Sequence, residues 1–402
     1  MLTKSLLKFT VTNLVLTSTI LISCSTMKNM AINQKKNGHD RLYTYPIKAP
    51  VSKEQDKRYK RLIILGINDL NGEIFPTTTK IGQNSISSGG ITGLKSYINI
   101  FRDEFKDSTL LLDSGSFISK NTNHSRMVFL YDYLGVNGVN LGLNEFTLNA
   151  KSKYLPSYLG QLFKRSKLEV ISSNVFNLKE IQRAKWRNIN RNKIFLVNEV
   201  KVGVLGMISQ KNASLYFSKK LNGYYVQNMA KNIIVESNSL RKQGAEVIIL
   251  MASHGIDCTD ITSNNLNIDK RKVNFNTYDI SGCESNENEL VKTLSLLPPG
   301  KIDLVLSSGK NSKVSNVIHD IPVIQNYGRG EYLSWAEIYF DTKLKRVDAQ
   351  DVFVQQPVQI CHQFFKETKD CYIEDSDKVN TELTDIVPAT LFGKEIKIEP
   401  LP

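Results

Sequence analysis

Five short polar segments contain the side chains of this chain that could take part in chemistry. Each follows an apolar run and combines glycine with acidic, amide, hydroxyl or imidazole groups. In chain order they are Asn68-Asp69-Leu70-Asn71-Gly72, Asp113-Ser114-Gly115-Ser116, Gly142-Leu143-Asn144-Glu145-Phe146, Ser253-His254-Gly255 and Ser307-Ser308-Gly309-Lys310-Asn311. Carboxylates and imidazoles are the side chains that hold most divalent metal ions, and this set contains both.

The apolar runs before these segments predict buried strands. They are short and continuous, as strands covered on both faces require, and they occupy 62–65, 109–112, 139–141, 247–251 and 304–306, with further runs at 170–171 and 202–205. Stretches with helical spacing, such as 91–105, 127–134 and 229–240, lie between them. The alternation predicts a layered α/β fold, in which loops after strand ends form the site. Runs 332–340 and 352–354 predict antiparallel strands that close a sheet.

The five segments, in this order and spacing, resemble the calcineurin-like metallophosphoesterases, specifically their bacterial 5′-nucleotidase branch. The corresponding family segments are N-D-x-H-G, D-x-G-D, G-N-H-E-F-D, S-H-x-G and G-G-H-x-H. Gly89-Gly90-Ile91, Ser173-Asn174-Val175 and Lys201-Val202-Gly203-Val204-Leu205-Gly206 extend the likeness, which covers about 61–341. The resemblance implies an α/β fold of four layers, an α/β/β/α sandwich of two mixed sheets flanked by helices.

The resemblance also implies where metal ligands would lie. Family members hold two divalent cations about 3.5–4 Å apart, and a metal-bound hydroxide attacks the phosphoester. Carried over by position, Asp69 and His254 retain family ligands. The position of the catalytic histidine is Asn144, so no catalytic residue is expected. The remaining ligand positions are changed, and they are occupied by Asn71, Ser116, Leu143, Gly309 and Asn311.

These changes predict that the paired metal site is lost. Ser116 replaces the carboxylate that bridges both ions, so nothing offsets the repulsion between two dications. Leu143 cannot coordinate a metal, and Gly309 offers only backbone atoms. We therefore expect no cofactor and at most one weakly bound divalent metal, held by the oxygens of Asp69, Asn71 and Asn311. The alternatives are structural: Asp69 as a turn-capping residue, and His254 bonded to a backbone group.

The beginning of the chain has the features of an exported lipoprotein. Residues 1–23 predict a signal peptide, because Lys4 and Lys8 precede an apolar stretch, 9–22, that is too short to span a membrane. The segment ends in Leu21-Ile22-Ser23-Cys24, which resembles a bacterial lipobox with Cys24 as the acylated residue. An ordinary signal peptide with an incidental cysteine is the alternative. Ser25 favours the outer membrane of the bacterial cell envelope.

The remaining cysteines fit an oxidising compartment. Four cysteines besides Cys24 allow three pairings, and sequence proximity favours Cys258–Cys283 and Cys361–Cys371. Residues 24–60 are polar and predict a flexible tether from the membrane to the fold. The family resemblance implies that residues 61–345 form the metallophosphoesterase-like domain. It also implies that residues 346–402 form a short extension in place of the 5′-nucleotidase C-terminal domain, and we expect its disulfide loop to form a linker helix or turn.

The overall charge does not identify a partner. The 402 residues have a net charge of +13, which we attribute to a coding preference for lysine and asparagine, so nucleic acid is not an expected partner. The sequence predicts an inactive, lipid-anchored protein that binds an envelope protein, an envelope polymer or a small ligand. The alternatives are a metal-dependent phosphoester (nucleotide) hydrolase with a reduced or relocated metal site, and a module that binds anionic surfaces.

Overall fold

Amphipathic stretches of the sequence form the helices of this fold. The structure is a computed structural model that describes residues 51–81, 84–148, 154–217, 223–257, 287–366, 368–371 and 385–402. The α-helices of these ranges are α1 (Val51–Gln55), α2 (Gly90–Phe105), α3 (His124–Leu134), α4 (Leu143–Thr147), α5 (Leu155–Leu162), α6 (Gln210–Phe217), α7 (Met229–Lys242) and α8 (Glu289–Ser295). The predicted helices 91–105, 127–134 and 229–240 correspond to α2, α3 and α7.

The predicted apolar runs form strands. Strands of the first half are β1 (Tyr59–Ile67), β2 (Thr77–Ile81), β3 (Asn84–Ser88), β4 (Thr109–Asp113), β5 (Gly138–Asn140), β6 (Glu169–Ile171), β7 (Val175–Asn177), β8 (Gln182–Arg183), β9 (Asn192–Val197) and β10 (Val200–Ile208). Those of the second half are β11 (Tyr224–Val226), β12 (Val247–Ser253), β13 (Leu304–Ser307), β14 (Val314–Ile318), β15 (Ile321–Gln325), β16 (Tyr332–Asp341), β17 (Val352–Gln359), β18 (Gln363–Phe365), β19 (Ile386–Pro388), β20 (Thr390–Leu391) and β21 (Lys394–Glu395).

The long strands form two six-stranded mixed sheets. In the first sheet the order is β17-β16-β1-β4-β5-β6. Strands β1, β4, β5 and β6 are parallel to one another, and β16 runs antiparallel to both of its neighbours, β1 and β17. In the second sheet the order is β14-β15-β13-β12-β10-β9, with a parallel centre and antiparallel edges at β14 and β9.

Alternating side chains of the strands fill two different apolar layers. In β1, Leu62 and Ile64 lie in the core between the sheets, together with Val202 and Met251 of the second sheet. Ile63, the residue between them, packs in the core shared with α2 and α3. A separate core lies between the second sheet and helices α7 and α8. Since a strand residue i and its neighbour face opposite sides, this arrangement explains the continuous apolar runs and confirms the predicted four-layer α/β/β/α sandwich.

Contacts cross both of the predicted domain boundaries. Helix α1 lies within the predicted tether 24–60, and its Lys53 forms an ion pair with Asp351. Arg58, also inside the predicted tether, pairs with Asp341. The described fold therefore includes residues before 61. After residue 345, β17 is the edge strand of the first sheet.

The C-terminal extension has an internal disulfide and contacts the fold through a buried aromatic ring and a hydrogen bond. The predicted disulfide Cys361–Cys371 is present. Strand β18 lies inside its loop and pairs with β19 in an antiparallel ladder, so the predicted helix is wrong. The predicted turn is present after β18, at Lys366 and Thr368. The side chain of Phe365 is fully buried, and Nε2 of His362 lies 2.9 Å from the carbonyl oxygen of Gly89.

Several predictions concern other parts of the chain. Residues 1–23, the lipidation site Cys24 and the pair Cys258–Cys283 lie outside the described residues. Within the described ranges, no helix is long and apolar enough to cross a membrane.

Replacing both Cys361 and Cys371 by serine should lower the free energy of unfolding by about 2–3 kcal/mol. The disulfide joins residues 10 positions apart, and a crosslink of this length removes conformational entropy from the unfolded chain. Denaturant unfolding of the full chain without reductant measures the difference. A Ser214→Ala variant, which changes an exposed hydroxyl on α6, is the control. Equal stability of the double variant and the unchanged chain would contradict the prediction.

Candidate functional site

The five polar segments meet at one edge of the sandwich. β1 and β4 of the first sheet and β12 and β13 of the second are parallel pairs, so their carboxyl ends lie together. The backbone N–H of Asp69 donates to the carbonyl of Gly115 at 3.0 Å, which joins the first two segments. The hydroxyl of Ser114 donates to the carbonyl of Ser307 at 3.1 Å, which joins the two sheets. The structure thus brings the predicted segments into contact.

Asp69 is bound by the last segment instead of capping its own turn. Its carboxylate accepts the backbone N–H of Gly309 at 2.6 Å and the side-chain amide of Asn68 at 3.0 Å. Burial raises the pKa of Asp69 above its ordinary value, and these two hydrogen bonds oppose that rise. The residue has a left-handed backbone with φ of 47°. Its charge therefore has protein donors as partners.

Asn71 and Asn144 bind each other directly. The amide nitrogen of Asn144 donates to the side-chain oxygen of Asn71 at 2.6 Å, and the amide of Asn71 donates to the carbonyl of Asp69 at 2.9 Å. At both positions the corresponding family segments have histidine. The oxygen of Asn71 that would serve as a hard ligand is therefore already an acceptor within the protein.

Ser116 and Leu143 remove the means of holding a second cation. Leu143 packs against the apolar core of the first sheet, which an uncharged aliphatic side chain favours. Ser116 is buried with φ of 63°, and its backbone N–H donates to Glu145 at 3.0 Å. No carboxylate replaces the bridging ligand at position 116. The residues present therefore do not fit a pair of divalent metals.

The remaining predicted positions are His254, Gly309 and Asn311. Nδ1 of His254 lies 3.3 Å from the side-chain nitrogen of Asn212, so its partners include a side chain. Gly309 has φ of 94°, and both Gly309 and Asn311 are exposed. Across the described ranges, no three His, Cys, Asp or Glu side chains gather as metal ligands.

Glu145 organises the site in a way that sequence analysis missed. This fully buried carboxylate accepts three backbone N–H groups, from Gly142 at 2.8 Å, Ser116 at 3.0 Å and Ile118 at 3.0 Å. Burial raises the pKa of Glu145 to about 7, and the three donors oppose this rise. It therefore joins the second and third segments. Its position three residues after Gly142, at the start of α4, was the available signal, because a glutamate there reaches back to the N-cap.

Asp113 is a second buried carboxyl group of the site. Its oxygens accept the hydroxyl of Tyr131 and the backbone N–H of Gly115, the latter at 2.6 Å. Burial raises the pKa of Asp113 well above its ordinary value. Asp113 is the last residue of β4 and the first residue of the second segment. Asp113 therefore joins the second segment to helix α3 through the hydroxyl of Tyr131.

Comparisons with solved structures agree with this architecture. The calcineurin-like phosphoesterase YfkN from Bacillus subtilis is similar with a TM-score of 0.56 and 16% identity, over 80% of this chain and 96% of that one. The NAD nucleotidase of Haemophilus influenzae has a TM-score of 0.53 at 16% identity. The 5′-nucleotidase precursor of Thermus thermophilus has a TM-score of 0.52 at 15% identity. The fold is that of the calcineurin-like phosphoesterases.

The extent of the similarity differs between these proteins. The match covers 80% of this chain and 55% of the Haemophilus enzyme, and 74% of this chain and 55% of the Thermus protein. The chain thus spans about half the length of both nucleotidases. No protein-family model and no curated protein matches the sequence. The likeness to solved structures therefore establishes the fold, and the chemistry must be argued from the site.

Proposed function

We propose that this chain is a catalytically inactive protein of the 5′-nucleotidase-like fold that acts by binding. The hydrogen bond between Asn144 and Asn71 carries the proposal. It places two neutral amides, bonded to each other, where the resemblance implies the catalytic histidine and a metal-binding histidine. An amide cannot replace an imidazole as a general acid, because it does not titrate near neutral pH.

The lost bridging ligand supports the same proposal. A binuclear site needs anionic oxygen between its two ions, and Ser116 has a neutral hydroxyl at that position. Leu143 contributes its side chain to packing, and Asp69 is already bonded to Gly309. A hydroxide bound to two metals would therefore lack most of the groups that generate and position it.

The proposed location follows from the beginning of the sequence. We infer that Cys24 is acylated and anchors the protein in the bacterial cell envelope, at the outer membrane. The proposed partner is an envelope protein, an envelope polymer or a small ligand, and nucleic acid is not among the candidates. The proposal requires no cofactor and allows at most one weakly bound divalent metal.

The purified chain should show no metal-dependent turnover. We would incubate it with Mn²⁺, Zn²⁺ or Mg²⁺ and with AMP, UDP-glucose or p-nitrophenyl phosphate, and compare it with a His254→Ala variant. Equal, background rates are expected, because the residues that would hold the metals are replaced. Metal-dependent turnover well above that of His254→Ala would overturn the proposal.

A hydrolase with a reduced metal site is the second candidate. Two observations favour it: the comparisons are with phosphoesterases and nucleotidases, and Asp69 and His254 both remain at the strand ends. It requires at least one tightly bound metal per chain. Elemental analysis of protein purified without chelator tests it, and a metal content far below one equivalent would exclude this candidate.

A further inference from the structure

A small polar cleft opens beside the five segments. Its volume is about 110 Å³, and it is lined by residues from three distant stretches of the chain, among them Glu73, Phe75, Ser88, Gly89, Arg329 and Glu331. The backbone N–H of Arg329 donates to the carbonyl of Asp69 at 2.9 Å, so the cleft adjoins the first segment.

The cleft contains charges of both signs that are open to a ligand. Burial raises the pKa of the half-buried Glu331, the positive charge of Arg329 lowers it, and the negative charge of Glu73 raises it. These three side chains therefore interact electrostatically across the cleft. The ion pairs found within the described ranges include none of the three. The cleft thus presents one guanidinium and two carboxylates.

The backbone around Arg329 has an unfavourable conformation. Arg329 has φ of 55° and lies between Gly328 at 78° and Gly330 at 72°. A left-handed conformation is less favourable for arginine than for glycine or asparagine. An Arg329→Asn change therefore removes the guanidinium without adding backbone strain.

The size of the cleft restricts its occupant. Pockets for drug-sized ligands have volumes of roughly 300–1,000 Å³, and this cleft, at about 110 Å³, is smaller than these pockets. A nucleotide is too large for it. A molecule with a few heavy atoms fits. The ring of Phe75, 68% exposed, lies at the rim and offers an apolar contact.

We propose that this cleft binds a small zwitterion, a molecule with one carboxylate and one ammonium group, as in an α-amino acid. The guanidinium of Arg329 would bind the carboxylate in a paired, charge-assisted arrangement. The carboxylates of Glu331 and Glu73 would bind the ammonium group. The inference does not depend on the proposed inactivity of the neighbouring site, because no residue of that site supplies these charges.

The first experiment separates the two halves of the ligand. The full chain would be titrated with L-alanine, propionate or ethylamine, and binding measured by calorimetry and by ligand-observed NMR. L-Alanine should bind at least tenfold more tightly than either half-probe, since only it engages both signs of charge. Equal affinity for propionate and L-alanine, or no binding of L-alanine at concentrations up to about 10 mM, ten times a millimolar Kd, would overturn the proposal.

The second experiment tests the residues. Arg329→Asn and Glu331→Gln should each weaken L-alanine binding at least tenfold. Arg329→Asn should not lower thermal stability, because asparagine adopts the left-handed backbone readily. That readout separates lost binding from misfolding. Unchanged affinity in both variants would refute the assignment.

A matched control comes from Lys345. This lysine also has a left-handed backbone, with φ of 54°, and its side chain is 67% exposed, with Glu246 at 3.7 Å. It follows β16, at the opposite end of that strand from Arg329. Lys345→Asn removes the same charge and the same backbone cost, and L-alanine binding should stay unchanged. Equal loss in Lys345→Asn and Arg329→Asn would show a general charge effect and overturn the assignment.

Discussion

Glu145→Gln should abolish one component of the pH dependence of stability. The unfolded chain releases the Glu145 proton near pH 4.5, whereas burial raises the folded pKa to about 7. Between these values the folded chain holds more protons, so the free energy of unfolding falls as pH rises, by up to about 3 kcal/mol for this group. The contribution is fully present below pH 4.5 and lost above pH 7. Glutamine stays neutral throughout and has no such slope.

Denaturant unfolding of the chain and the variant from pH 4.5 to pH 8 tests this prediction. The stability of the unchanged chain, relative to Glu145→Gln, should fall by about 3 kcal/mol across the window. Asp69, whose pKa burial also raises, contributes the same slope to both proteins and cancels in the difference. The negative charge of Glu145 helps to raise the pKa of Asp113, so the variant also moves that pKa downward, in addition to removing the Glu145 slope. Glu180→Gln, at an exposed position, is the control. Parallel pH profiles for Glu145→Gln and the unchanged chain would contradict the assignment.

Gly142→Ala should lower the free energy of unfolding by about 3 kcal/mol or more. A Cβ atom at Gly142 would lie 2.3 Å from the backbone nitrogen of Ser116 and 2.7 Å from its hydroxyl oxygen. The second and third segments cannot separate easily, because Glu145 bonds the backbone N–H groups of both. The φ of Gly142 is −90°, which alanine tolerates, so the cost is steric overlap.

Denaturant unfolding of Gly142→Ala measures this cost, and Gly300→Ala is its counterpart. Gly300 has φ of 73°, and a Cβ atom there would meet no heavy atom of a residue other than its chain neighbours within 4 Å. Alanine at this position should therefore cost only about 1 kcal/mol of conformational free energy. A smaller effect at Gly142 than at Gly300 would show that the two segments move apart freely. In that case the five polar segments would not form a closely bonded unit.

Both predictions depend on the hydrogen bonds that join the five polar segments. Asp69, Asn71 and Glu145 each have a hydrogen-bond partner on another of the five segments, namely Gly309, Asn144 and Ser116. Such a network holds the loops without a metal ion. The region is therefore suited to maintaining the shape of the fold, and ligand recognition is proposed for the neighbouring cleft.

Local patterns in the sequence determined the strands, the helices and the positions of the five segments. A continuous apolar run such as 62–65 is stable only when both faces are covered, so it predicts a central strand and a layer on each side. The carboxyl ends of parallel neighbours in one sheet lie at the same edge, which places the segments that follow β1 and β4, with Asp69 and Asp113, near each other. The pairing Cys361–Cys371 followed from a short separation along the chain.

Only the tertiary structure decided which polar groups bind each other. The bond of Asn144 to Asn71, the ion pair of Lys53 with Asp351 and the cleft formed by Glu73 and Arg329 join residues far apart in the chain. A polar side chain carries no periodic signal for its partner, since its hydrogen bonds depend on loop paths and on burial. The sequence alone therefore predicted the fold and the positions at which family ligands are replaced. Only the tertiary structure determined which hydrogen bonds the side chains at these positions form.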